Sequence, residues 1–471
     1  MTKVTSRLIA AELLAGVILD GSYANLLLPR LLADSGLNQQ DRALATELSY
    51  GTLRMQGSID QILQQLSNRP IYEIDTEVLI ALRLGSYQLL ATRIPSHAAV
   101  DEAVKLVRTM HKSSAAGFVN AMLRRVSEKS FEEWADILHP IQNAEAALSD
   151  SRLSFVYAHP EWIIRSFRDS LRADRSVQKL DAKQIETELI ALLEANNAAP
   201  QVNLAILPIA DDQDRAEVEK DTTALPYSPY ARLLASGLPG RFKALRAGRI
   251  RVQDQGSQLA ALALIGAKPI QDGEAWADFC AGPGGKAALL ASIADEHRGT
   301  FLANELNPIR ARLVEQALAP INPDAELRVG DARDFSSGNE KFDRIMLDAP
   351  CSGIGALRRR PEARWQKTPR DIGTLVPLQE DLLGAAINSL KPGGVLAYVT
   401  CSSHLAETEQ LVSQVLKSHP EMIELDTASL LQAQSVNPIP DIVGGAKRVQ
   451  LWPHRQGTDA MFITLLQAPL S

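Results

Sequence analysis

Hydrophobic positions recur at helical spacing through the first quarter of the chain. Leu8, Leu13, Leu14, Val17 and Ile18 form one stripe. Asp75 stands where an N-cap belongs, ahead of Val78, Leu79, Leu82 and Leu89, and a further helix is predicted through Ala98, Val100, Ala103, Val104 and Val107. Alternating β-branched positions are almost absent from Thr2 to about Glu128, which predicts an all-α domain. Between Asn143 and Arg246 the pattern is mixed. His159–Trp162 (HPEW) opens a helix, with Pro160 tolerated in its first turn; a second helix spans Lys183 to Glu194; Gln201–Leu207 reads as a short strand. The acidic run Asp211–Asp221 is expected as a solvated loop or surface helix. A small linking domain fits this stretch, with a plain spacer as the alternative. From Arg249 onward, strand, loop and helix repeat. Strands end at Phe279, Glu305, Val329, Leu347 and Val399, and helices lie near Ala287–Ile293, Arg310–Ala317 and Leu378–Leu390. Such alternation predicts right-handed crossovers, a largely parallel sheet covered on both faces, and ligands beyond the carboxyl ends of the strands. The expected architecture is therefore multi-domain: an all-α domain at 1–140, a small mixed linking domain at 141–246, and an α/β Rossmann-like domain at 247–471.

Composition changes this picture little. The 471 residues are 45% apolar and 22% charged, enough to support folded domains throughout. A net charge of −7 argues mildly against nucleic-acid binding, unless basic residues are gathered locally. Lys3 and Arg7 precede an apolar stretch, but Glu12 interrupts it and no small-residue cleavage site follows, so a secretory signal is not expected. No apolar run is long enough to span a bilayer. We read the chain as cytoplasmic, without membrane contact. Its three cysteines, Cys280, Cys351 and Cys401, form neither a disulfide framework nor a zinc spacing, and no metal site is expected.

The segment Ala275–Ala291 (AWADFCAGPGGKAALLA) reads as strand, glycine-rich loop and helix. Gly282, Gly284 and Gly285 let backbone approach a ligand closely, and the helix that follows offers free N–H groups and a positive dipole end. Glu305 ends the next strand, where a carboxylate could bind ribose hydroxyls. The loop alone leaves a nicotinamide dehydrogenase open, since Gly282, Gly284 and Ala287 satisfy G-x-G-x-x-A. It excludes a P-loop, because Ala287 stands where Ser or Thr is required.

Arg344–Gly355 (RIMLDAPCSGIG) is a strand running into Asp348, Pro350 and Cys351, and Val395–Ser403 (VLAYVTCSS) is the next strand, running into Cys401. Adjacent strands at the switch point would bring both thiols to one pocket. Either cysteine alone could be packing; two at carboxyl edges, each followed by serine, are hard to assign to packing. CAGPGGK, DAPCSG and TCSS, in this order, resemble the Sun/RsmB family of RNA cytosine-5 methyltransferases, and Gln253–Ala261 (QDQGSQLAA) and Arg360–Trp365 (RPEARW) agree with it. Leu48–Met55, Pro95–Arg108 and Ala115–Arg125 resemble the NusB fold, which points to the bacterial RsmB type.

The resemblance implies an S-adenosylmethionine-dependent enzyme with an RNA substrate, most readily small-subunit ribosomal RNA, acting as a monomer. It implies that Cys280, Ala281, Gly282, Pro283, Gly284, Gly285, Lys286, Glu305, Asp331 and Asp348 contact the cofactor or line its site, with Asp331 near the adenine. Cys401 would be the nucleophile and Cys351 would assist product release. Two positions depart from the family pattern: Glu407-Thr408 stands for Glu-Asn, and Ala460-Met461-Phe462 for Gly-Phe-Phe. The chemistry suits a cysteine. C5 of cytosine is a poor nucleophile, and a thiolate added to C6 makes it electron-rich enough to take a methyl. A free thiol has a pKa of about 8.5, and a helix expected at Leu405–Lys417 would favour the thiolate of Cys401 by its N-terminus. Asp348 could hold the N3/N4 edge of the base. The target must be unpaired or flipped out. Ala356–Arg370 carries six basic residues against one acidic, and Arg358, Arg359, Arg360, Arg364 and Trp365 are the expected RNA contacts. Rival readings are an amino-methyltransferase of the same fold, a transfer-RNA cytosine-5 methyltransferase, and a non-catalytic NusB-type RNA-binding or antitermination factor.

Overall fold

The computed structural model describes residues 4–141, 147–177, 179–322, 325–338 and 340–470. It divides into two compact units, one of residues 1–165 with 357–367, the other of residues 166–356 with 368–471.

The first unit is helical, as its periodicity predicts. Its helices include Ser6–Leu19, Gln39–Leu66, Thr76–Ala91, Ser96–Thr109, Ala116–Val126 and Asp150–Tyr157. Asp75 is the N-cap of Thr76–Ala91 and accepts from the Glu77 N–H. In the long helix, Leu48, Thr52, Ile59, Ile62, Leu63 and Leu66 lie on the buried stripe. The segment Leu357–Lys367 belongs to this unit, although 191 residues of chain separate it from Arg165. The Arg364 guanidinium is fully buried and donates to the Ala158 carbonyl at 3.1 Å. The Trp365 indole N–H donates to the Leu53 carbonyl at 2.7 Å.

Both expected domain boundaries move. The helical unit continues past residue 140 because Asp150–Tyr157 packs on it: Ser58 donates to the Phe155 carbonyl at 2.6 Å, and the Phe155 ring stacks on Phe131 at 5.1 Å. The start of the linking stretch, at Asn143, lies outside the described residues. The boundary at 246 cuts a sheet. Strands β1 (Val202–Ile206), β2 (Thr222–Ala224), β3 (Ala231–Leu234) and β4 (Ile250–Val252) form a four-stranded sheet in the order β2-β3-β1-β4. Because β4 pairs with β1, the linking fold is complete only at Val252. The acidic run is a helix, Asp212–Glu219, as one of the two expected forms.

The large sheet contains β5 (Ala275–Asp278), β6 (Thr300–Glu305), β7 (Glu326–Val329), β8 (Phe342–Asp348), β9 (Leu390–Thr400), β10 (Ile423–Glu424), β11 (Arg448–Gln450) and β12 (Phe462–Gln467). Its order is β10-β12-β9-β8-β5-β6-β7, with β11 also on β12. Five central strands are parallel and the edge beyond β9 is antiparallel. Met346 faces one apolar cluster, Ile345 and Leu347 the other, so both faces are covered. The strand order reverses between β5 and β8, which sets the crevice for a ligand beside the ends of those strands. Below it, the fully buried Arg344 donates to Glu274 at 2.7 Å and to the carbonyls of Leu264 and Lys268. Among the described residues, no helix is long and apolar enough to cross a membrane.

Candidate active site

Strand β5 delivers Asp278 to the crevice, and the chain then turns through Phe279–Gly284 into the helix Gly285–Glu296. The turn is held by the sheet: the Phe279 N–H donates to the Met346 carbonyl at 3.0 Å and the Ala281 N–H to the Asn304 carbonyl at 2.9 Å. A Cβ at Gly282 would lie 2.2 Å from a carboxylate oxygen of Glu305, so any side chain here would displace that carboxylate. That carboxylate, at the end of β6, accepts from the Gly282 N–H at 3.0 Å and from the Asn307 N–H at 2.9 Å. Gly284 caps the following helix without a side-chain hydrogen bond.

Asp331, after β7, accepts from the Arg333 guanidinium at 2.6 Å, and this contact holds its carboxyl below the usual range. Lys286 is buried and donates to Asp348 at 2.7 Å. Burial alone would depress the Lys286 ammonium, but Asp348 and the neighbouring Cys401 outweigh it and raise it. Asp278, 1% exposed, is pushed up to about 8 by burial and then by Asp348. Cys280 is likewise raised by burial, then by Asp278, Asp348 and Glu305, so it is a neutral thiol.

The residues of this crevice suit S-adenosylmethionine, an anion at one end and a cation at the sulfonium. Gln253, in the QDQGSQ segment, is buried with both amide atoms lacking a hydrogen-bond partner among the described residues, and its nitrogen lies 3.5 Å from where a Cβ on Gly285 would sit. The Gly285 helix N-terminus suits a carboxylate, and Asp278, held protonated by burial, would ionise beside a cation. Among the described residues no cluster of His, Cys, Asp or Glu could hold a metal ion.

Cys351 and Cys401 follow the ends of the adjacent parallel strands β8 and β9, and their sulfurs are 3.3 Å apart. The Cys351 thiol is raised well above its usual value by its hydrogen bond to Cys401 and by burial, with Glu407 and Asp348 adding to it. The Gly355 N–H donates to the Cys401 carbonyl at 2.9 Å. A side chain at Gly355 would collide with the Ala460 carbonyl, so the divergent Ala460-Met461-Phe462 segment backs the same strand end.

Two expectations are corrected. The helix after Cys401 begins at Glu409, preceded by a short turn at Leu405–Glu407. Seven residues lie between Cys401 and its first residue; a cation beside Cys401 is Lys286. Arg364 is fully buried in the helical unit and Trp365 partly buried there, and their donors are taken by backbone carbonyls. Arg360 lies over the Tyr23 ring, 4.5 Å from its centroid, and Arg358 and Arg359 are half-buried. Sequence reasoning gave no role to Asp278, Gln253, Gln379 or Glu407. An acid closing the apolar strand before the glycine loop was the available sign for Asp278.

The chain matches the family model described as 16S rRNA methyltransferase RsmB/F over residues 267–467, and the NusB family model over residues 4–128. It is 42% identical over 464 residues to the methyltransferase candidate Rv1407 of Mycobacterium tuberculosis (strain H37Rv), covering 98% of this chain and 96% of the relative. It is 31% identical over 425 residues to the ribosomal RNA small subunit methyltransferase B of Yersinia pseudotuberculosis serotype O:1b, covering 88% and 90%. The solved structure of PH0851 superposes with a TM-score of 0.77 at 21% identity, over 98% of this chain and 97% of that one. NSun6 from Pyrococcus horikoshii, solved with SFG, gives 0.52 at 18% identity, over 65% and 98%. These two likenesses bear on the fold.

Proposed function

The chain belongs to the RsmB/F family of 16S rRNA methyltransferases, which use S-adenosylmethionine, and we propose that it methylates C5 of a cytosine in small-subunit ribosomal RNA through a covalent Cys401–C6 adduct. The observation that carries this reading is the 3.3 Å approach of Cys351 and Cys401 beside the Lys286–Asp348 pair.

When bound, S-adenosylmethionine supplies an electrophilic methyl on a sulfonium. Cys280–Lys286, Gln253, Glu305, Asp331 and Asp278 are the residues that would hold it. Lys286 favours the Cys401 thiolate electrostatically. The thiolate adds to C6, an S–C6 bond forms, and the C5=C6 π pair moves to C5. Asp348 accepts from the N4 amino group of the base. C5 takes the methyl, leaving C5 with both a methyl and a hydrogen. A base then removes the C5 proton, its bonding pair restores C5=C6, and the S–C6 pair returns to Cys401 as thiolate. Cys351 is that base. Its pKa is raised while Cys401 is a thiol or thiolate beside it; once the Cys401 sulfur is a thioether that cause is gone, the Cys351 thiol gives its proton to solvent, and the resulting thiolate takes the C5 proton. Arg358 and Arg359, partly exposed, are proposed to meet RNA phosphates.

The test is a denaturing gel of each cysteine variant incubated with cofactor and unmethylated small-subunit RNA. Cys401→Ala gives no methylation and no crosslink. Cys351→Ala transfers the methyl and stalls as a covalent complex. A crosslink from Cys401→Ala alone would reverse the roles, and none from either would remove the covalent mechanism.

A further inference from the structure

We propose that Glu407 is a positioning residue for the release step, a buried latch that holds the Cys351 loop within reach of the Cys401 strand end. The inference rests on the covalent reading above.

Glu407 ends the short turn after Cys401 and is 0% exposed. Its Oε1 accepts from the Ser352 N–H at 2.8 Å and from the Gln379 amide at 3.1 Å. Its Oε2 accepts from the hydroxyls of Ser352 at 2.5 Å and Ser402 at 2.6 Å. Ser352 and Ser402 are the residues that follow Cys351 and Cys401, so one carboxylate joins the two cysteine-bearing turns. Four donors converge on a group that is acceptor-only when ionised, which is the match such a cluster needs. Burying a carboxylate is costly unless its lone pairs are used; apolar packing would join two loops with less penalty but without fixing their direction. The arrangement therefore fits a requirement for geometry.

The latch acts unequally on the two thiols. Cys401 is already fixed by the sheet: β9 pairs with β12 through Thr400, and the Cys401 carbonyl accepts from Gly355. Cys351 lies beyond the end of β8, and the residues on either side of it are held by this cluster. Gln379 donates to the Pro350 carbonyl at 2.7 Å while also donating to Glu407, and Glu407 holds Ser352. Loss of Glu407 frees the Cys351 turn first. The carboxylate also disfavours a thiolate at Cys351, whereas Lys286 faces Cys401, so the two thiols are electrostatically unlike.

The full chain is assayed with S-adenosylmethionine and unmethylated small-subunit RNA as wild type, Glu407→Ala, Glu407→Gln, Cys351→Ala and the double variant Glu407→Ala/Cys351→Ala. Turnover of Glu407→Ala is expected to fall on the order of 10²-fold, with unchanged cofactor affinity and with a denaturation-resistant protein–RNA complex accumulating. The double variant should turn over no more slowly than Cys351→Ala, because the latch acts through that thiol. Losses that multiply in the double variant, or a Glu407→Ala that loses turnover without accumulating adduct, would make Glu407 merely structural. Glu407→Gln keeps the volume and covers the case in which the alanine variant does not fold; it should accumulate adduct to a smaller extent, and a wild-type partition between adduct and product would overturn the proposal. If Cys351→Ala itself forms no adduct, it is the covalent reading that fails. If Cys351→Ala forms one and both Glu407 variants do not, only the latch fails.

Discussion

Replacing Asp278 by Asn should abolish a proton release that accompanies cofactor binding. Burial, then Asp348, raises the Asp278 carboxyl to about 8. With that value, about 0.9 of the molecules carry the proton at pH 7, about 0.5 at pH 8 and about 0.1 at pH 9. A ligand bearing a sulfonium and an ammonium favours the ionised carboxylate, so binding should expel those fractions of a proton. The association constant should accordingly rise nearly tenfold from pH 6 to pH 7 and flatten above pH 8. The same carboxyl binds its proton more tightly folded than unfolded, where the usual value is 3.8; its contribution to stability is thus present at low pH and lost as pH rises from about 4 towards 8. Calorimetry of S-adenosylmethionine binding at pH 7, in buffers of different ionisation enthalpy, counts the protons released. The ligand's own amine titrates in both proteins and cancels in the difference between wild type and Asp278→Asn. Equal proton counts in the two proteins, or a wild-type affinity that does not change between pH 6 and pH 7, would refute the assignment of Asp278 as the proton carrier of this site.

Gly282→Ala puts a methyl 2.2 Å from a Glu305 oxygen and 2.8 Å from the Arg310 Nε; cofactor affinity should fall at least about tenfold, or 1.4 kcal/mol, by calorimetry. Trp365→Ala should cost the helical unit about 2–3 kcal/mol in denaturation, through lost packing and the lost indole hydrogen bond to the Leu53 carbonyl, while leaving the salt dependence of RNA binding unchanged. Glu274→Ala leaves the fully buried Arg344 without its carboxylate and should lower stability by about 3–5 kcal/mol in urea titration.

Much of this protein is written in local pattern. Helical periodicity marked the first unit, and β5 to β9 end within a residue of the expected Phe279, Glu305, Val329, Leu347 and Val399. The glycine loop and the cysteine pair were legible because close backbone approach and thiol chemistry each demand particular residue types at strand ends. The strands β10, β11 and β12 after Thr400 were not anticipated; β10 and β12 gain their partners from β12 and β9, far along the chain. The fate of the basic segment at 357–367 was beyond local reading as well. Its charge suggested an RNA-facing surface, yet Arg364 and Trp365 find carbonyl acceptors on Ala158 and Leu53, about two and three hundred residues earlier. Glu407 and Asp278 show the same limit: an acid reads as surface along the chain, and only the fold brings the four donors to one and the apolar strand ends to the other. Sequence determines what each element can bury and which chemistry it can carry; the tertiary structure decides which distant donors and acceptors meet, and that decides which charges are buried.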